Sequence, residues 1–83
     1  MVNENAKPRV HVTAERDPGV LLRVLERIAN LNLIPLRFAA VCGAQDQILI
    51  EIHPSPMGDD MLSLIIIKIG ELPAVLDVTL DRE

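Results

Sequence analysis

Aromatic residues are almost absent from this sequence, in which Phe38 stands alone among 83 residues. Proteins that bind single-stranded nucleic acid usually stack bases on aromatic side chains. The formal net charge of −4 also repels phosphate groups. We therefore expect no nucleic acid partner, and the same acidity argues against binding to an anionic membrane surface.

Cysteine occurs once, at Cys42, so no intrachain disulfide can form. A single cysteine in a short chain is typical of a cytosolic protein, in which the thiol acts as a small buried apolar group and not as a ligand. His11 and His53 do not stand at zinc-ligand spacing from each other or from Cys42. We expect no metal and no other cofactor.

Long hydrophobic runs are also missing, since no segment approaches the ~20 apolar residues that span a bilayer. The first eight residues are polar, unlike a signal peptide. These features predict a soluble, cytoplasmic protein without a membrane partner. A domain of this size buries only about 60% of its unfolded surface. Because disulfides and metals are not expected, we predict that a second chain supplies additional stability.

The residues that are present, 49% of them hydrophobic, follow two periods. Alternating apolar residues predict strands, and apolar residues at helical spacing predict helices. The strands are predicted over 9–14, 34–41, 47–53 and 75–80, and the helices over 20–31 and 55–70. This βαββαβ order predicts a ferredoxin-like α+β sandwich, with a four-stranded antiparallel sheet and two helices on one face. We expect a disordered tail over residues 1–7 and a single domain over residues 8–83.

Proline and capping residues set the predicted ends of the helices. Asp17 is suited to cap the first helix and Pro18 to occupy its first position. Ser55 and Pro56 repeat the arrangement before the second helix. Asn32 is suited to the left-handed conformation that ends the first helix.

No set of residues has the pattern of a catalytic site. His11 is expected on the open face of the sheet, where water is not excluded. The acidic pair Asp59 and Asp60 is explained by the dipole of the helix that it begins. A small acylphosphatase-like hydrolase needs an arginine in the first loop, which Arg16 provides, and an asparagine on the second strand, which is missing. We expect no catalytic residue.

The turn between the first strand and the first helix is the most informative segment. Gly19 lies where the first helical amides lack partners within the helix, and a carboxylate can dock on such amides. Taken alone, the turn is better explained as a capped helix start without a ligand.

The stretch VHVTAERDPGVLLRVLERIANLNLIPLRF, followed by ILIEI and a second helix, resembles the ACT domain family. The resemblance covers residues 8–80, and its most recognisable element is DPGVL at residues 17–21. The chain looks most like the short small subunits of acetohydroxyacid (acetolactate) synthase. Those subunits are single ACT domains that pair with a thiamine-dependent catalytic subunit in branched-chain amino-acid synthesis.

The resemblance implies an amino-acid effector, such as valine, held between two chains. One chain would supply the turn and the other the start of its second strand. Arg16 and Ile34 stand where many effector-binding members carry asparagine, so weak binding is expected. The implied effector-binding residues are Arg16, Asp17, Pro18, Gly19, Val20, Leu21 and, from the neighbouring chain, Ile34.

Three functions are compatible with these observations. The first is a regulatory subunit of the synthase, and the second is a free-standing sensor of a small apolar amino acid with another partner. The third, a small hydrolase, lacks support from the catalytic search. The exposed pair Leu64 and Ile67 favours a protein contact. We expect a homodimer that pairs the second strand with its copy, through an interface of Pro35, Arg37, Ala39 and Val41.

Overall fold

Four strands form one antiparallel sheet in the computed structural model, which describes residues 7–82. The elements are β1 (Arg9–Glu15), α1 (Val20–Ala29), β2 (Arg37–Cys42), β3 (Gln47–His53), α2 (Asp59–Gly70) and β4 (Val75–Asp81). The strand order is β2-β3-β1-β4. The predicted ferredoxin-like βαββαβ fold is confirmed. The predicted tail over residues 1–7 lies outside the described residues, apart from Lys7, and stays a prediction.

The pairing register gives the sheet one buried face and one open face. Val12 of β1 pairs with Ile50 of β3, and both side chains are buried. The next pair, Thr13 with Leu49, lies on the open face, because successive side chains of a strand point to opposite sides.

Both helices pack on the buried face and complete one core. The buried residues of the helices and of the turn after α2 are Val20, Val24, Ile28, Leu62, Ile65, Ile69 and Leu72. Leu25 stands at helical spacing from Leu21 and Ile28, a pattern that predicts a core position, but it lies at the margin and is 36% exposed. Val20, the first residue of α1, takes a central position in the core instead.

Neither proline occupies the first position of a helix, although α1 begins at Val20 as predicted. Gly19 is the cap residue of α1, so Pro18 precedes the helix instead of occupying its first position. Gly58, with extended backbone angles, caps α2, and the helix starts at Asp59 instead of Ser55. Ser55 stays outside α2 because a residue that precedes proline is pushed out of the helical region.

The start of β2 also differs from the prediction. Asn32 adopts the predicted left-handed conformation, with φ of 64°. Ile34 and Pro35 then lie in the connection, and β2 begins at Arg37. Leu36 is the first residue to join β3, since its N–H donates to the His53 carbonyl at 2.7 Å. Pro35 has no N–H to donate, which is why the pairing cannot start there. Pro35 predicts an edge strand, because proline cannot donate to a ladder, and the position of β2 at the edge of the sheet is confirmed. Cys42, the last residue of β2, is exposed, so the expectation of a buried thiol is wrong.

Neither helix within residues 7–82 has the length and hydrophobicity needed to cross a lipid bilayer.

Candidate functional site

The β1–α1 turn is organised by the carboxylate of Asp17. Asp17 Oδ1 accepts a hydrogen bond from the Gly19 N–H at 3.1 Å. The Asp17 carbonyl accepts another from the Val20 N–H at 3.0 Å. Asp17 therefore does bind an amide of the turn, as a capping residue should. The same bonds mean that the Gly19 and Val20 amides already have partners in this structure.

Arg23 covers Gly19 from the next turn of the helix. Its Nη1 atom lies 3.2 Å from Asp17 Oδ2. A Cβ atom added at Gly19 would lie 2.8 Å from the same Nη1. Side chains of an α-helix lean toward its N-terminus, so a residue four positions after Gly19 reaches back over it. Arg23 was not among the predicted site residues, although this helical spacing is visible in the sequence.

The pair of Asp17 and Arg23 borders a groove of about 420 Å³ between α1 and the segment that precedes β4. Leu72 and Pro73 line its other side. The groove brings two carboxylates, those of Glu15 and Asp17, and the Arg23 guanidinium together beside the helix start. A carboxylate that enters the groove would therefore compete with Asp17 for the same donors.

Arg16 is directed toward the β2–β3 hairpin and away from Gly19. Its N–H donates to the Asp46 carbonyl at 3.0 Å. Its guanidinium Nη1 lies 3.5 Å from Asp46 Oδ1, and both side chains are exposed. Gln45 and Asp46 both have positive φ, at 58° and 57°. Arg16 thus ties the turn to a strained hairpin tip.

The apolar residues of the predicted site differ in accessibility. Val20 is fully buried, and Leu21 is half-buried against the core. Leu22 is 63% exposed and is the apolar side chain that α1 presents next to the turn. Helical periodicity explains the order, because Val20, Val24 and Ile28 occupy one stripe and Leu22 lies outside it.

Ile34 lies at the opposite end of α1 from the turn. A helix of ten residues is about 15 Å long. Ile34 is 83% exposed and lies beside Pro35 and Met57 at a small crevice. One chain therefore does not bring Gly19 and Ile34 together.

The edge strand β2 has unpaired backbone groups on one side. The Gly43 N–H donates to the Gln47 carbonyl at 2.9 Å. Gly43 and Gln47 follow Cys42 and Ile48, the last residue pair between β2 and β3. Because antiparallel bonds alternate along a strand, Ala39 points its N–H toward β3 and Ala40 points its N–H away. Of the predicted interface residues, Arg37, Ala39 and Val41 lie on the open face, and Pro35 precedes the strand.

The open face carries charged side chains beside apolar ones. Glu51 forms a hydrogen-bonded ion pair with His53. The hydrogen bond from His53 holds the pKa of the Glu51 carboxyl below its ordinary value, and the charges of His53, His11 and Arg9 add to the effect. His11 pairs in register with Thr79, as expected for a histidine on this face. The described part of the chain contains no group of three or more His, Cys, Asp or Glu side chains that could hold a metal ion.

Solved structures of low sequence identity share this architecture. The ACT domain of GTP pyrophosphokinase from Chlorobium tepidum has a TM-score of 0.77 at 10% identity, covering 92% of this chain and 97% of that one. A homoserine dehydrogenase from Thiobacillus denitrificans has a TM-score of 0.75 at 20% identity, covering 93% of this chain and 17% of that one. The C-terminal domain of the MgtC protein from Mycobacterium tuberculosis has a TM-score of 0.72 at 15% identity, covering 100% and 94%.

The sequence itself matches no family model and no curated protein. At these identities the structural likeness establishes the fold alone. The chain therefore has an ACT-like fold.

Proposed function

We propose that this chain is a non-catalytic regulatory domain that forms a homodimer and modulates an enzyme of branched-chain amino-acid synthesis. Its counterpart by resemblance is the small subunit of acetohydroxyacid synthase. The observation that carries the proposal is the position of the free β2 edge relative to the β1–α1 turn. A second chain paired along that edge completes the site that one chain leaves incomplete.

The pairing register within one chain supports this arrangement. Cys42 at the end of β2 pairs with Ile48, and Ile48 pairs with Ala14 near the end of β1. The end of β2 therefore lies at the same end of the sheet as the turn. An antiparallel copy of β2 runs in the opposite direction, so its start lies beside this end. The partner's Ile34 therefore lies toward the β1–α1 turn of the first chain. Within a single chain, Ile34 and this turn lie at opposite ends of α1.

The effector is a small apolar amino acid such as valine. Its carboxylate takes the place of Asp17 at the Gly19 amide and pairs with Arg23. Its side chain packs between Leu22 and the partner's Ile34, both of which are exposed in one chain. Arg16 can reach the carboxylate only by leaving Asp46. The effector carboxylate displaces the Asp17 carboxylate, which already accepts these bonds. The net gain in binding free energy is therefore small, and the binding is weak.

A free-standing sensor that acts on a different enzyme is the second candidate. The structural neighbours favour keeping it, because they belong to two unrelated enzymes, a GTP pyrophosphokinase and a homoserine dehydrogenase. The two candidates share the dimer and the effector and differ only in the partner.

Reconstitution with a catalytic subunit of acetohydroxyacid synthase from the same organism tests the proposal. We expect the purified chain to bind that subunit and raise its activity, while having no synthase, hydrolase or redox activity by itself. Valine should reduce or modify the activation. Activity of the chain alone that His11→Ala or Asp59→Ala abolishes would overturn the non-catalytic assignment. Absence of binding to the synthase, with valine still bound, would favour the free-standing sensor.

A further inference from the structure

The α2 helix contains more apolar residues than the core uses. Its buried residues are Leu62, Ile65 and Ile69. Ile67 follows Ile65 by two residues, so it lies about 200° away around the helix, and it is 57% exposed. Leu64 and Ile66 are half-buried on either side of it. A helix that is apolar on its outer side as well as its core side is normally covered there by a neighbour.

Four exposed residues, Asp60, Ser63, Ile67 and Gly70, are named here the outer face of α2. They stand three, four and three residues apart, the spacing with which one helix packs along another. Nothing lies within 4 Å of a Cβ atom added at Gly70, so packing within the chain does not require glycine there. Glycine also lowers the stability of a helix relative to alanine. A second helix that approaches closely would give this glycine a purpose.

The outer face of α2 stays accessible in the proposed homodimer. The α2 helix packs against β4, and β4 and β2 form opposite edges of the sheet. A copy that pairs along β2 therefore leaves one outer face uncovered at each end of the dimer.

The charges around the outer face disfavour a second copy as its occupant. Asp59 pairs with Arg82, and Glu71 pairs with Arg27, whereas Asp60 forms no ion pair within residues 7–82. Two parallel copies of α2 would bring their Asp60 carboxylates together. Two antiparallel copies would bring Asp60 to Glu71, which already holds Arg27. Carboxylates meet in both arrangements, so the outer face fits a basic partner better than its own copy.

We infer that the outer face of α2 binds a helix of the catalytic partner, one that carries apolar side chains and a lysine or arginine. This inference rests on the proposed regulatory function and names the surface on which the partner docks. The apolar side chains of the partner helix contact Ile67 and lie over Ser63 and Gly70. Its cation pairs with Asp60 at the start of α2. The homodimer and the catalytic partner then use different surfaces of the chain.

Biolayer interferometry with the purified catalytic subunit of acetohydroxyacid synthase from the same organism tests the inference. Ile67→Asp should raise the dissociation constant by about tenfold or more, because it places a charge at the centre of the contact. Leu76→Asp is the matched control, since Leu76 is 53% exposed on β4 and lies outside the outer face. It should change the dissociation constant by less than about twofold.

Gly70→Gln separates a loss of contact from a loss of folding. Glutamine forms helices better than glycine, and its side chain has room in the isolated chain. The thermal midpoint of unfolding should therefore stay the same or rise, while the dissociation constant should increase about tenfold. A misfolded variant cannot combine higher stability with weaker binding.

Asp60→Lys tests the charge of the partner. We expect slower association with the catalytic subunit and a weaker dependence of the association rate on salt concentration. Asp77→Lys makes the same change of charge at an exposed position of β4 and should have a smaller effect. Analytical ultracentrifugation of each variant alone should show the wild-type homodimer.

The possible failures are distinguishable. A catalytic subunit that binds the wild-type chain and all three α2 variants equally would overturn the docking surface and leave the proposed function standing. Equal weakening by the two β4 controls would overturn it as well. A homodimer weakened by Ile67→Asp would assign the outer face to a second copy instead. A wild-type chain that does not bind the catalytic subunit would overturn the synthase role and this inference together.

Discussion

Gly19 shows how one residue can matter for a ligand without being required by the fold. Its φ of −82° and ψ of −9° are ordinary for any residue. The nearest neighbour of an added Cβ is the end of the Arg23 side chain, which can move. The fold therefore does not require glycine at position 19.

Gly19→Ala should leave the stability nearly unchanged and weaken amino-acid binding. Alanine lowers the entropy of the unfolded chain but is a poorer cap residue, and these opposing effects leave a net change within about 1 kcal/mol. The displaced Arg23 guanidinium loses its position over the turn, so the effector loses a partner. Urea denaturation and calorimetric titration with valine measure the two quantities. A large loss of stability would show that the glycine is structural instead.

The ion pair of Glu51 and His53 makes a pH-dependent contribution. The Glu51 carboxyl has a pKa below its ordinary 4.5, mainly because His53 donates a hydrogen bond to it. The folded chain therefore binds its proton less readily than the unfolded chain does. The resulting stability is present above about pH 4.5 and is lost as the pH falls through the folded pKa.

In an NMR titration, His53→Leu should raise the pKa of Glu51 toward 4.5. The unfolding free energy of the variant should then depend less on pH in the acidic range. Arg9→Gln is the matched control, because Arg9 acts on Glu51 only through its more distant charge and should shift the pKa less. Equal shifts in both variants would show that general charge, and not the hydrogen bond, is responsible.

At the scale of elements, the β2–β3 hairpin contains removable strain. The Gln47 N–H donates to the Ala44 carbonyl at 3.2 Å across Gln45 and Asp46, both with positive φ. Such turns favour asparagine and glycine, because other side chains are strained there. Gln45→Asn should therefore raise the unfolding free energy by about 0.5–1 kcal/mol. Gln45→Ala keeps the strain and should give no gain, and equal denaturation midpoints for the two variants would contradict this explanation.

The order and type of all six elements could be predicted from the sequence, because periods of two and 3.6 residues reflect which face each element buries. The start of β2 could not. Ile34 and Leu36 continue the alternation of the strand, yet both are exposed in one chain. Their apolar side chains make no core contact within this chain. A prediction based on alternation therefore starts β2 too early.

The candidate site was only partly predictable for a similar reason. The position of Arg23 over Gly19 follows from helix geometry alone. The pairing of Arg16 with Asp46 depends on where a distant hairpin docks, which local sequence does not specify. Local relations are readable in the sequence, and those that require tertiary packing are not.

At the scale of the whole molecule, an effector shared between two chains must couple ligand binding to dimerisation. If valine contacts the turn of one chain and the partner's Ile34, it binds the dimer better than the monomer. Coupling of this kind is reciprocal, so valine must lower the dimer dissociation constant by the factor by which dimerisation improves valine binding. We expect valine to bind with high-micromolar to millimolar affinity, or about 4–6 kcal/mol.

Ala40→Pro tests dimerisation independently of the folding of the monomer. The Ala40 N–H points away from β3, so proline removes a bond to the partner while the internal ladder keeps its own. We expect this variant to be monomeric, folded and unable to bind valine, isoleucine or leucine in calorimetry. Gly19→Val and Arg23→Ala should reduce binding in the dimer, because Arg23 lies beside Gly19. Micromolar binding that ignores both substitutions would place the pocket elsewhere, and full binding by the Ala40→Pro monomer would show that one chain suffices. No heat with any of the three amino acids would leave the chain a purely structural subunit, whose dimer stabilises the catalytic partner without sensing an amino acid.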